Sequence, residues 1–148
     1  MTDFLETTVD KFVFRVAADR LYNPDGVWAL LQGDQVRIGM SDYLQQRNGD
    51  VAFAHVKSIG AKLARGDELA EVETVKANAS LFSPVSGVVV AVNSALEISP
   101  EIINESPYDK GWLAVMEVAD WENERATLLS PEAYLAAIRE QAEKELNG

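Results

Sequence analysis

The sequence predicts a mainly β domain. Three observations point there: short runs of alternating or β-branched apolar residues recur along most of the chain, Gly, Asn, Asp or Pro separate them, and helical periodicity is confined to two stretches. Its 148 residues suit a single domain, 1–148, with one core. At 47% hydrophobic and 25% charged, the composition is that of an ordinary globular protein rather than a disordered tail.

The predicted strands are Phe12–Ala17, Val27–Leu31, Gln35–Met40, Val51–Val56, Leu69–Val75, Leu81–Ser83, Gly87–Val92 and Trp112–Val118. Tyr22-Asn23-Pro24-Asp25-Gly26 holds a Pro and a Gly placed for a tight turn. Gln32-Gly33-Asp34 joins two apolar runs across a hairpin-length gap. A short helix is expected over Ser41–Arg47, opened by Ser41-Asp42, and a longer one over Pro131–Leu146. There Ser130 caps the exposed amides and Pro131 takes the first helical position, where its missing N–H costs nothing. Tyr134, Leu135, Ile138, Ala142 and Leu146 fall on one face, with Arg139, Glu140, Glu143 and Lys144 opposite. The polar face is too acidic for a membrane-surface helix, so the apolar stripe is read as docking on the domain's own sheet. Trp112 and Trp121 read as core anchors.

Composition excludes much chemistry. With no cysteine, disulfides, thiolate metal sites and cysteine nucleophiles are ruled out. The one histidine, His55, cannot build a His-rich metal site and reads as a surface or packing residue. The chain has 24 acidic and 13 basic residues, a net charge of −11, which argues against nucleic acid and favours partners with basic docking surfaces. No apolar run approaches the roughly 20 residues of a membrane span. Met1–Asp10 carries Asp3, Glu6 and Asp10, unlike a signal or transit peptide, so the expected location is cytoplasmic and the expected form a monomer.

The informative stretch runs from Gly60 to Asn93, arranged almost as a mirror about Lys76. Gly66-Asp67 makes a turn before it, Ser86-Gly87 another after it, and apolar strands lead in and out. That places Lys76 at a hairpin tip between Val75 and the small Ala77, where an enzyme can reach the ammonium. An exposed lysine on a rigid turn is an acceptor for modification. Glu68, Glu71 and Glu73 precede it; a solvated acidic strand face explains the first two, whereas Glu73 is assigned a recognition role.

These residues resemble the lipoyl domains, and within them the H protein of the glycine cleavage system. The matching blocks are Glu73-Thr74-Val75-Lys76-Ala77, Ser83-Pro84-Val85-Ser86-Gly87 with Val92-Asn93, and Ile103-Asn104-Glu105-Ser106-Pro107-Tyr108 leading to Gly111-Trp112-Leu113. Upstream, Ile38-Gly39-Met40-Ser41-Asp42-Tyr43 and Gly49-Asp50-Val51-Ala52-Phe53 also fit, so the resemblance spans about Trp28 to Tyr134. It implies a flattened β-barrel of two sheets, the barrel-sandwich hybrid, with its lipoyl-like core over about 28–118 and the helix about 131–146 added to it. It also implies lipoate in amide linkage to Lys76, with Glu73, Val75 and Ala77 framing the site. Biotin carriers share the fold but typically flank the acceptor with methionines. The implied protein is a carrier, not an enzyme, and needs a lipoate-protein ligase or equivalent lipoylating enzymes.

The family usually carries His-Glu-Trp early in the domain, with the glutamate lining the cleft that shields an aminomethyl arm. Here Gly26 and Val27 precede Trp28, and an additional stretch, Asp10–Val16, comes before the Tyr22–Gly26 turn. These departures resemble the divergent lipoate-binding proteins of the heterodisulfide-reductase-like sulfur oxidation system. On that reading the arm carries sulfur intermediates toward sulfite, with the heterodisulfide-reductase-like complex and dihydrolipoamide dehydrogenase as partners. A sulfur adduct has no ammonium for a carboxylate to hold, so the expectation places sulfur oxidation first. The alternatives are a glycine cleavage H protein whose cleft uses another acid, such as Asp42 or Asp50, and an unmodified adaptor.

Overall fold

The computed structural model describes residues 2–147, so Met1 and Gly148, the ends of the predicted domain, lie outside the described residues. Two open sheets form the barrel sandwich. The larger contains six strands in the order β3 (Leu21–Tyr22), β4 (Val27–Gln32), β5 (Gln35–Met40), β11 (Ala114–Glu117), β10 (Gly87–Val92) and β7 (Lys62–Leu63). The smaller orders β6 (Val51–Val56), β8 (Glu68–Thr74) and β9 (Asn78–Phe82). Gly33-Asp34 closes the β4–β5 hairpin with Gly33 at φ +67°, the conformation a tight two-residue hairpin turn asks of its first residue. Ile38, Leu69, Val72, Val89, Leu113 and Met116 are fully buried between the sheets.

The β9 strand starts three residues earlier than the expected Leu81–Ser83, because pairing of Glu73 with Asn78 draws Asn78, Ala79 and Ser80 into the ladder. Propensity yields there to register. By the same logic Val75 leaves the β8 strand, and the last sheet strand shortens to Ala114–Glu117. The helices α1 (Asp42–Asn48) and α4 (Pro131–Asn147) match expectation, with the Ser41 hydroxyl accepting from Leu44 N at 3.2 Å and the Ser130 hydroxyl from Ala133 N at 3.1 Å. Two further one-turn helices, α2 (Ile102–Glu105) and α3 (Trp121–Arg125), lie outside the expected set.

A third, two-stranded sheet lies beyond the sandwich. It pairs β1 (Phe4–Val9) with β2 (Phe12–Ala17) through a turn at Asp10, which adopts φ +56°. Aspartate tolerates this left-handed conformation better than most side chains. The β1 strand escapes sequence reading because Thr7 and Val9 are its only buried residues and one of them is polar. This hairpin, rather than the sandwich, receives most of α4: Tyr134, Ile138 and Ala142 are buried together with Val9, Phe14, Val16, Tyr22, Trp28 and Tyr43 in a second hydrophobic cluster. Leu146, expected on that buried stripe, is 57% exposed, facing the open cavity between the end of α4 and the hairpin. Trp112 and Trp121 are half-buried at the edges of the clusters, with the Arg37 guanidinium 4.9 Å over the Trp112 ring; the fully buried anchor is Trp28.

Candidate functional site around Lys76

Lys76 sits at the tip of the β8–β9 hairpin. Thr74 N donates to Ala77 O at 2.9 Å to close the turn. The Thr74 hydroxyl then staples it: Oγ1 accepts from Lys76 N at 3.3 Å and Ala77 N at 3.2 Å, and donates to Ala77 O at 2.8 Å. A β-branched residue whose hydroxyl satisfies the turn amides leaves the tip little freedom. Thr74 lies inside the Glu73–Ala77 motif, and its role shows only in the folded turn; its signal in the sequence is a Thr two residues before the acceptor.

The base of the hairpin is fixed by the two turns that flank Lys76 in sequence. Gly66, at φ +93°, donates its N–H to Ser83 O at 2.9 Å, Ser83 N donates to Asp67 O at 2.8 Å, and Arg65 N donates to the Ser86 hydroxyl at 2.8 Å. Both turns therefore close on each other, which is why the motif reads as a mirror.

At the tip Val75 is 80% exposed, Lys76 and Ala77 are exposed, and Glu73 is half-buried, facing His55 with Oε1 3.7 Å from Nε2. His55 is itself a surface residue with Phe53 stacked beside it. Among the described residues no carboxylate lies within ion-pair distance of Lys76 Nζ. The lysine leans back over Gly49, at the C-terminal end of α1: a β-carbon there would lie 3.5 Å from Lys76 Cε. Gly49 is held in place by Asn104, whose amide donates to Gly49 O at 3.0 Å and accepts from Val51 N at 2.9 Å. Asn104 is thus a structural clamp.

Two concavities adjoin this region. The smaller, about 260 Å³, is lined by Asp25, Val27, Arg47 and Ser80. The larger, about 510 Å³, includes Lys76 in its wall. Neither Asp42 nor Asp50 lines either one. The Asp42 carboxylate is engaged elsewhere, accepting from Arg15 N at 3.0 Å and from the Gln45 and Gln46 amides. Pro107 and Tyr108 also stand apart: Tyr108 donates its hydroxyl to Arg15 O and accepts from Asp42 N, tying the N-terminal hairpin to α1.

The Gly26-Val27 pair has a packing explanation. Gly26 adopts φ +98°, and a β-carbon there would lie 2.7 Å from the Tyr134 hydroxyl and 3.1 Å from the Ser41 hydroxyl. Those hydroxyls hydrogen-bond each other at 2.6 Å. A side chain at 26 and the Tyr134–Ser41 bond exclude each other. Val27 is fully buried in the sandwich core.

No helix among the described residues is long and apolar enough to cross a membrane, and no group of three or more metal-ligating side chains is present among them. A rigid, exposed, unpaired lysine beside preformed concavities suits a covalently attached group that must be reached by other proteins. The residues fit the lipoyl group on this count: the acceptor nitrogen is accessible and its neighbours Val75 and Ala77 offer no competing nucleophile.

The family model described as glycine cleavage H-protein matches residues 20–141. The chain is 43% identical over 122 residues to the glycine cleavage system H protein of Oceanobacillus iheyensis, covering 82% of this chain and 96% of that one. It is 41% identical over 128 residues to the namesake protein of Mycolicibacterium smegmatis, covering 84% and 98%. A crystal structure of a glycine cleavage system H protein from Mycobacterium marinum superposes with a TM-score of 0.71 at 30% identity, over 80% of this chain and 95% of that one. The chain belongs to the glycine cleavage H-protein family, whose members are carriers with lipoate covalently attached to a lysine and are not enzymes.

Proposed function

We propose that Lys76 is the lipoylated residue and that the chain carries the aminomethyl cargo of glycine between the glycine cleavage enzymes. The observation that carries this reading is the stapled hairpin tip, which presents one unpaired lysine on a rigid turn. Glu73, Val75 and Ala77 frame the site for a lipoate-protein ligase or equivalent lipoylating enzymes. Lipoate supplies a reversible sulfur attachment point on a long tether, and amide formation removes the lysine charge. The chain's own part is to hold the attachment point still, keep its fold apart from the arm and offer the arm shelter. A tether fixed at one end keeps its cargo at high effective concentration for each docked enzyme. The place of work is the cytoplasm, and one domain suffices.

The glycine reading gains over sulfur oxidation from the comparisons, whose relatives are named for glycine cleavage. It gains also from Asp25, whose exposed side chain lines the smaller cleft beside Val27. A carboxylate there can hold an ammonium by a charge-assisted hydrogen bond. One observation favours a second reading: Val27 itself offers no charge, which suits sulfur intermediates passed to a heterodisulfide-reductase-like complex and dihydrolipoamide dehydrogenase.

Reconstituted glycine cleavage separates the two. Full turnover with the lipoylated chain, reduced about tenfold or more by Asp25→Asn, supports the glycine reading, a factor of ten being about 1.4 kcal/mol of lost binding or transition-state contact. Negligible turnover, together with a deletion strain that degrades glycine normally but cannot oxidise reduced sulfur compounds, establishes the second reading instead.

A further inference from the structure

The cavity beside Lys76 is built largely from parts outside the family match. One wall is the N-terminal hairpin, with Phe12 and Phe14; the floor is α1, with Tyr43 and Arg47; the far wall is the last turn of α4, with Leu146. The matched segment is 20–141, so both walls lie beyond it while the floor lies within. The walls are firmly placed. Arg15 N donates to Asp42, Gln46 donates to Val13 O, Phe14 packs edge-on to Tyr43 with centroids 4.9 Å apart, and Arg139 donates to the Thr7 hydroxyl at 2.7 Å. Arg47 and Glu145 pair at 2.9 Å across the rim, joining α1 to the end of α4.

We infer that this cavity is a docking site for the arm on Lys76, with the apolar dithiolane end of lipoate lying against Phe12, Phe14 and Leu146. The inference rests on the carrier reading above and adds a second shelter, distinct from the cleft beside Val27. Three observations commit the cavity to this occupant. Lys76 itself lines it, so the ligand is tethered at its mouth. Its volume of about 510 Å³ falls in the roughly 300–1,000 Å³ range of small-ligand sites. Phe12 and Leu146 are 48% and 57% exposed, leaving apolar surface that a dithiolane and its methylene chain would cover. Docking would shield the arm's sulfurs between transfers, and a partner enzyme would draw the arm out by offering a better contact.

The test uses the full-length chain lipoylated by a lipoate-protein ligase, with complete modification verified by intact mass. Nuclear Overhauser contacts are sought between the dithiolane methylenes and the Phe12 and Phe14 rings. In parallel, the arm is reduced and the rate of thiol alkylation by iodoacetamide is compared with that of free dihydrolipoamide. The expected results are ring contacts that persist on dilution and alkylation slowed about tenfold, the factor for an arm exposed one part in ten. Leu146→Glu and Phe12→Ser change exposed positions and should restore most of the rate while leaving the melting temperature within a few degrees. Alkylation at the free rate without ring contacts overturns the inference, as do contacts that vanish on dilution, which would make a second copy the occupant. A chain that gains no lipoyl mass would overturn the carrier reading itself.

Discussion

The molecule has two hydrophobic cores of different character. The sandwich core is aliphatic, assembled mainly from the strands of the two sheets with Leu96, Ile103 and Leu113 added from the connections, and it holds no titratable side chain among the described residues. The second core is aromatic, with Phe14, Tyr22, Trp28, Tyr43 and Tyr134 drawn from five separate segments, and Tyr108 packs against it. Tyr22 and Tyr134 stack at 4.4 Å, and Tyr22 donates its hydroxyl to Ala17 O at 2.8 Å. Arg20 lies over the Trp28 ring at 4.5 Å while Trp28 Nε1 donates to Met40 O and Pro107 O. The first core builds the hairpin that presents Lys76; the second adds a wall beside it. The attachment point and its surroundings are therefore governed by different residues.

The largest effect should come from emptying the sandwich core. Leu69→Ala removes a fully buried side chain beside the hairpin base and should cost about 2–5 kcal/mol in urea unfolding. If it costs no more than an exposed truncation, the aliphatic core does not hold the hairpin.

Alkali should separate the two cores next. Burial pushes Tyr22 and Tyr134 well above the ordinary phenol range, raises Tyr43 and pushes Tyr108 up to about 12. A folded-state pKa above the unfolded value of about 10 means that the neutral phenols contribute fully below pH 10. Their contribution is lost as pH rises from there through the folded values. Urea unfolding at pH 8, 10 and 11 should show stability falling above pH 10, and Tyr22→Phe should flatten that fall by removing one of the strongly shifted groups. An unchanged slope in Tyr22→Phe would contradict the assignment.

Gly26 offers a finer cut. Gly26→Ala places a β-carbon against the Tyr134 hydroxyl at a positive φ, at a cost of about 1–3 kcal/mol. Part of that cost should disappear in a Tyr134→Phe background, where the hydroxyl is gone. A double-mutant cycle with zero coupling would break the link between the Gly-Val departure and the second core. Smallest of all, Thr74→Val removes the hydroxyl staple and should cost about 1 kcal/mol while leaving the strands intact.

The same contrast governs what the sequence reveals. Alternation along single segments made β4, β5, β6 and β10 legible with ends within a residue, and the two turns around Lys76 located the tip. Apart from the Tyr134–Ile138–Ala142 stripe of α4, the second core leaves little local period, because each aromatic residue comes from a different element, and β1 turns only Leu5, Thr7 and Val9 toward it, one of them polar. Strands of two residues and helices of one turn are likewise too short for a period to show. Asn104 and Tyr108, both in the Ile103–Tyr108 block, take their structural meaning only from distant partners, Gly49 and Arg15. The departure at Gly26-Val27 is visible in sequence as chemistry lost; the Tyr134–Ser41 bond that occupies the vacated space joins residues 93 apart in the chain.

The central claim is that Lys76 carries the lipoyl group. Its direct test is peptide mass mapping after incubation with a competent lipoate-protein ligase, on the wild-type chain and on Lys76→Arg, which keeps the charge at an exposed position. One lipoyl mass on the peptide containing Lys76, and none in the variant at unchanged melting temperature, is the predicted result. Lipoate on Lys57, Lys62 or Lys110, lipoylation persisting in Lys76→Arg, or no modification of the folded wild-type chain would contradict it.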